Sequence, residues 1–122
     1  MPSQADDLRA RVKRFAVRIL KFVRTLPRDS ATDVIARQLA RSGTGISANY
    51  HAAGRARSRA EFIAKMGIVA EEADETEHWL TVMTDASLAT GDDLKSLAGE
   101  SRELRAIFVQ AVKTARSRAG RS

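Results

Sequence analysis

The chain has 122 residues, a formal net charge of +6 and a sequence pI near 10.5, which suits one basic domain with one modest core. It contains no cysteine, so disulfides and thiolate metal sites are excluded. No apolar run approaches the roughly 18 residues of a membrane span, and residues 1–7 lack the layout of a signal peptide. A cytoplasmic protein with no membrane contact is the expectation.

Prolines occur only at positions 2 and 27, and no stretch alternates at period two, so the chain reads as all helix. The pattern Ser/Thr-x-x-Asp/Glu occurs four times: Ser3–Asp6, Ser30–Asp33, Ser58–Glu61 and Thr90–Asp93. Each precedes an apolar-periodic run. In this pattern the hydroxyl accepts from a free backbone N–H and the carboxylate reaches back to the cap residue, so four matches predict four helix starts.

The first helix is predicted from Gln4 to Thr25. Its apolar stripe is Leu8, Val12, Phe15, Ile19, Phe22, Val23 and Leu26, and Pro27 disfavours helical geometry at Leu26. Arg11, Arg14, Arg18 and Lys21 form a second stripe beside the apolar one. Arg9, Lys13 and Arg24 occupy the remaining polar face.

The second helix is predicted from Ala31 to Ala56, continuous across Gly43 and Gly45, because Ile35, Leu39, Ile46 and Ala53 keep helical phase through them. Gln38, Ser42, Gly45 and Asn49 fall on or near the same face. They read either as helix–helix hydrogen bonding with close approach or as a polar seam at a binding surface. Arg37, Arg41, Thr44, His51 and Arg55 make a polar, basic stripe.

The third helix is predicted from Arg59 to Ala86, with Phe62, Met66, Val69, Ala73, Thr76, Leu80 and Met83 on its core face. Glu77 flanks that face and is expected to reach solvent or an arginine. Trp79 lies off it, at a bundle edge or a subunit contact. The fourth helix is predicted from Asp93 to Ala115, with Leu94, Leu97, Ser101, Leu104, Phe108, Ala111, Val112 and Ala115 inward. A basic tail from Arg116 is expected to fray. Four helices of about 33–42 Å joined by short connections predict one domain over residues 1–122, an antiparallel up-down-up-down four-helix bundle.

Formal charge is uneven. Residues 1–28 carry +6, residues 29–58 +2, residues 59–91 −5 and residues 92–122 +3. An acidic third segment among basic ones points to pairing within or between chains. The first helix's basic stripe therefore has three readings: a solvated face, docking on the acidic third helix in the same or a neighbouring chain, or nucleic-acid binding. The candidate nucleic-acid residues are Arg11, Arg14, Arg18, Lys21, Arg37, Arg41 and Arg55. With six aromatic residues, base stacking would be minor and phosphate would be the main target.

Enzyme chemistry finds no support. Glu75-x-x-His78 is one half of a bundle di-metal motif, but His51 has Ala48 three residues before it, so no second half exists. No nucleophile motif or phosphate-cradling glycine loop is present. No cofactor is expected.

The residues Ser42–Thr44, Ile46, Asn49–Tyr50, Ala53, Glu61–Phe62–Ile63, Lys65, Glu72–Ala73, Glu75–Thr76 and Trp79–Leu80 carry a resemblance. The chain resembles the four-helix-bundle proteins encoded in intervening sequences of bacterial 23S ribosomal RNA genes. The match covers the second and third helices best. The resemblance implies a small cytoplasmic bundle that assembles as a homopentamer. It is also similar to the accessory protein of diversity-generating retroelements, which binds nucleic acid and a reverse transcriptase. It implies no catalytic residues. Three positions depart from the family pattern: Gly45 stands where serine is usual, Ala52 where glutamate is usual, and Glu77 where a basic residue is usual. Two function classes follow. One is a nucleic-acid-associated homo-oligomer binding RNA or DNA with little sequence specificity. The other is an adaptor bundle for a protein partner such as a reverse transcriptase.

Overall fold

The computed structural model describes residues 3–120, and they form four helices: α1 (Gln4–Val23), α2 (Ser30–Ala53), α3 (Arg59–Asp85) and α4 (Asp92–Ala119). Each helix packs on its neighbours in the chain, and α4 closes back on α1. The diagonal pair α1 and α3 makes no close backbone approach. This is the antiparallel four-helix bundle expected from the sequence.

Two of the four predicted starts use the predicted cap residue, and the one at α1 forms the full reciprocal pattern. At α1 the Asp6 N–H donates to Ser3 Oγ at 3.1 Å, and the Ser3 N–H donates to Asp6 Oδ2 at 3.3 Å. At α3 the Glu61 N–H donates to Ser58 Oγ at 3.0 Å. The Glu61 carboxylate, however, accepts from the Arg57 N–H at 3.2 Å rather than from Ser58.

The other two starts are corrected. Asp29, not Ser30, caps α2. Its two carboxylate oxygens accept from the Thr32 N–H at 2.9 Å and the Thr32 hydroxyl at 3.0 Å. A charged, bidentate acceptor there satisfies two donors at once and favours the positive end of the helix, which a serine hydroxyl cannot match. These bonds also hold the Asp29 carboxyl below its usual range. Helix α4 starts from Gly91 with no side-chain cap, so the Thr90–Asp93 pattern is not used. Gly91 has φ 107°, a left-handed conformation that residues bearing Cβ avoid.

Helix α1 ends at Val23 and α2 at Ala53, two and three residues earlier than predicted. Helix α4 instead continues through Arg116 to Ala119, beyond the predicted start of fraying. Helix α2 runs unbroken through Gly43 and Gly45, and both glycines have structural reasons. A Cβ on Gly43 would stand 3.1 Å from two carbons of Ile19, so its absence permits close approach of α1 and α2. A Cβ on Gly45 would stand 2.7 Å from Glu72 Oε2.

The core follows the predicted stripes. Val12, Phe15, Ile19, Leu39, Ile46, Val69, Ala73, Leu80, Met83, Leu97, Leu104 and Phe108 are buried. Phe62 departs from the expectation at 38 % exposure. It sits in the first turn of α3, beyond the point where antiparallel α2 has stopped at Ala53, so α2 leaves it uncovered. Ile35 is half-buried, and Thr32, Ala36, Ser42 and Gly43 complete the inward face of α2. Several α2 polar residues make hydrogen bonds within the chain. Ser42 and Thr76 are fully buried with their hydroxyls 2.9 Å apart, and the Thr76 hydroxyl is 2.7 Å from the Glu72 carbonyl. Asn49 donates to the Gly45 carbonyl at 2.8 Å. Ser101 Oγ is buried without a hydrogen-bond partner.

Candidate nucleic-acid interface

The seven candidate cations do not form one surface. Tertiary pairing separates them by helix seam.

Arg11 spans the α1/α4 seam. Its Nε and Nη2 donate to the two Glu100 oxygens at 2.9 and 2.6 Å, and Nη2 also reaches Glu103 at 2.9 Å. A bidentate guanidinium–carboxylate pair of this kind is already matched in charge and geometry. Arg11 donation holds the Glu100 carboxyl below its usual range, and Glu100 in turn raises Arg11. Arg11 is therefore a structural cation, and a phosphate would have to displace two carboxylates to reach it. Arg18 lies on the same seam and donates to Ser96 Oγ at 2.7 Å.

Arg41 is likewise occupied. It donates to Glu75 Oε1 and to Gln38 Oε1 at 3.0 and 3.2 Å, and its Nη1 stands 3.7 Å from Glu72 Oε2. Across α3, Arg105 donates to Asp74 at 2.8 Å and lies 3.6 Å from Glu77, the arginine contact expected for that flanking carboxylate. The acidic third helix is thus served by α2 and α4. Docking of the α1 basic stripe on α3 within one chain is ruled out, because the two helices are diagonal.

Arg14, Lys21, Arg37 and Arg55 remain exposed, and none has an ion-pair partner among the described residues. Arg14 and Lys21 are on the outer side of α1. Arg37 lies on α2 and Arg55 just beyond its end, both facing outward. The structure adds neighbours that the sequence reading did not single out. A groove of about 450 Å³ at the α1–α2 connection is lined by Arg24, Arg28 and Arg37, with Val23, Leu26, Pro27 and Ala36 beneath. Its one carboxylate, Asp33, accepts from Arg28 at 3.2 Å. Arg24 and Arg37 are left unpaired at its rim. Arg24 was legible only as a cation on a polar face. Its proximity to Arg37 depends on how α1 and α2 are set against each other, which no single helix encodes.

Tyr50 packs on Phe108 with ring centroids 5.4 Å apart. Trp79 is half-buried at the α2/α3 edge, donating to Glu75 Oε1 at 3.2 Å and meeting the His78 ring at 4.9 Å. Neither aromatic lines the arginine groove. Among the described residues, no group of three or more His, Asp or Glu is placed to hold a metal ion. No helix among the described residues is long and apolar enough to cross a membrane.

Fold and surface together define a small all-helical bundle with a basic face. Residues 7–110 match the 23S rRNA-intervening sequence protein family, and the chain belongs to that family. It is also similar to a solved structure, the crystal structure of a protein with unknown function from the S23 ribosomal protein family of Bacteroides thetaiotaomicron. The identity is 32 %, 91 % of this chain and 99 % of that chain are covered, and the TM-score is 0.82. No curated protein matches the sequence.

Proposed function

We propose that this protein is a non-enzymatic homo-oligomeric bundle in the cytoplasm that associates with RNA or DNA through its α1/α2 surface. Five copies is the number the family resemblance implies. The observation that carries the binding reading is the groove where Arg24 and Arg37 stand together without carboxylate partners, with exposed Lys13 on α1 and Arg55 just beyond the end of α2. Unpaired guanidinium groups over a shallow groove suit phosphate oxygens, which carry no base identity. The absence of an aromatic residue from the groove lining leaves no platform there for stacking an unpaired base. Oligomerisation would repeat the groove and multiply a modest charge per chain.

The test is binding of duplex and single-stranded nucleic acid across a salt series. Each phosphate contact contributes roughly 0.9 to the slope of log affinity against log salt on duplex DNA and roughly 0.7 on single strands. Arg24→Gln with Arg37→Gln is expected to lower affinity and slope together while helicity and oligomer size stay fixed. Unchanged affinity in that variant, or no binding at low salt by the parent, overturns the reading. A protein partner is the second reading. It is favoured by exposed Val34 (56 %) and Ile68 (37 %) at the α2/α3 edge.

A further inference from the structure

We infer that the α2/α3 edge is the docking surface for a second copy of this chain, and that it receives that copy's α1 outer stripe. The inference rests on the self-association part of the function proposed above and says which faces meet.

Each of the two helices carries a second stripe beside its core face. On α3 it is Ile68, Glu72, Glu75, Trp79 and Val82, at steps of four and three. On α2 it is Val34, Gln38, Arg41, Gly45 and Ala48, with the same steps. The two stripes lie side by side, because Gly45 borders Glu72 and Arg41 pairs with Glu75. The result is an acidic centre with exposed aliphatic residues towards both ends.

The centre is short of positive charge. Two carboxylates, Glu72 and Glu75, face one guanidinium. Glu72 Oε2 is buried without a hydrogen bond, since Arg41 Nη1 at 3.7 Å is too distant to donate. The crevice left by Gly45 holds that oxygen. One further cation would balance the cluster.

The α1 outer stripe has the complementary pattern. Ala10, Arg14, Val17 and Lys21 recur at steps of four and three, and Val17 is 42 % exposed. Among the described residues, no carboxylate pairs with Arg14 or Lys21. Ala10, Arg14 and Val17 share a shallow surface groove with Lys13 and Arg18. Aliphatic side chains between cations on one surface thus match aliphatic side chains around carboxylates on the other. The α1 stripe cannot reach the α2/α3 edge of its own chain, because α1 and α3 are diagonal. The contact must be made between chains. Pairing two α2/α3 edges with each other would oppose acid to acid, so the association is head-to-tail, which closes into a ring or continues as a filament.

The chain lacks cysteine, so a pair of introduced thiols tests the contact directly. Val17→Cys and Ile68→Cys are both exposed positions whose replacement leaves the core intact. The two full-length variants are mixed and treated with a mild oxidant, oxidised glutathione, which accepts the two electrons of disulfide formation. The expected product is a V17C–I68C cross-linked dimer, with a chain carrying both substitutions giving a ladder of linked oligomers. Adding Arg14→Glu and Lys21→Glu should lower the yield at least tenfold. Cross-linking of I68C to itself as the main product overturns the inference in favour of a symmetric contact. An oligomer by light scattering that yields no V17C–I68C product overturns the inference alone. A monomer throughout the concentration series overturns it together with the self-association reading.

Discussion

The α1/α2 surface and the α2/α3 edge share a helix and differ in how their charges are settled. On the first, Arg24 and Arg37 share a groove whose one carboxylate is taken by Arg28. On the second, one arginine faces two carboxylates, and Glu72 Oε2 is left without a donor. The same α2 stripe supplies Arg37 to one and Arg41 to the other, four residues apart. A basic stripe read from one helix therefore does not describe a surface. The neighbouring helix decides whether each cation is free or neutralised.

The largest expected effect removes both regions at once. Leu80 is 1 % exposed on the core face of α3. Leu80→Asp should abolish cooperative unfolding by circular dichroism. It adds a buried unpaired carboxylate to the roughly 2–5 kcal/mol of a Leu→Ala truncation. Native stability in that variant would mean that the core face, and with it both surfaces, is misassigned.

Next come the variants that separate the two regions. Arg24→Gln with Arg37→Gln should weaken nucleic-acid binding by on the order of tenfold at low salt without altering the mass by light scattering. Glu72→Gln with Glu75→Gln should do the reverse, weakening self-association and leaving the salt slope per chain unchanged. If both pairs move both readouts, the surfaces are one functional unit.

Thr76→Val sharpens the comparison from below. It leaves Ser42 buried without its hydroxyl partner, next to the Arg41–Glu72 cluster but inside the core. A loss of about 1–3 kcal/mol in denaturant unfolding is expected, with nucleic-acid binding intact.

The smallest effect concerns acid. Glu100 has a folded pKa held below the ordinary 4.5, first through hydrogen bonding from Arg11. Its contribution is fully present above about 4.5 and is lost as pH falls through the lower folded value. Glu100→Gln should flatten the acid limb of the stability curve, while binding near neutral pH stays unchanged. An acid limb as steep as the parent's would assign that limb to other carboxylates.

Much of this architecture was legible in the sequence because its causes are local. Ser3 and Ser58 cap their helices through atoms three residues away. The stripes through Phe15, Leu39, Leu80 and Phe108 follow from 3.6-residue periodicity, and adjacency of consecutive helices follows from short connections. The Asp29 cap was also local, and it was missed because the Ser30–Asp33 pattern lay one residue further on. What only the tertiary structure decided was the fate of individual charges. Arg11 is matched to Glu100, 89 residues distant, and Arg41 to Glu75, 34 residues distant. Arg24 and Arg37 meet in one groove because α1 and α2 pack at a particular register, held by Ile19 against Gly43. Ion pairing depends on distances between helices, and those are set by core packing across the whole chain, which no single helix contains.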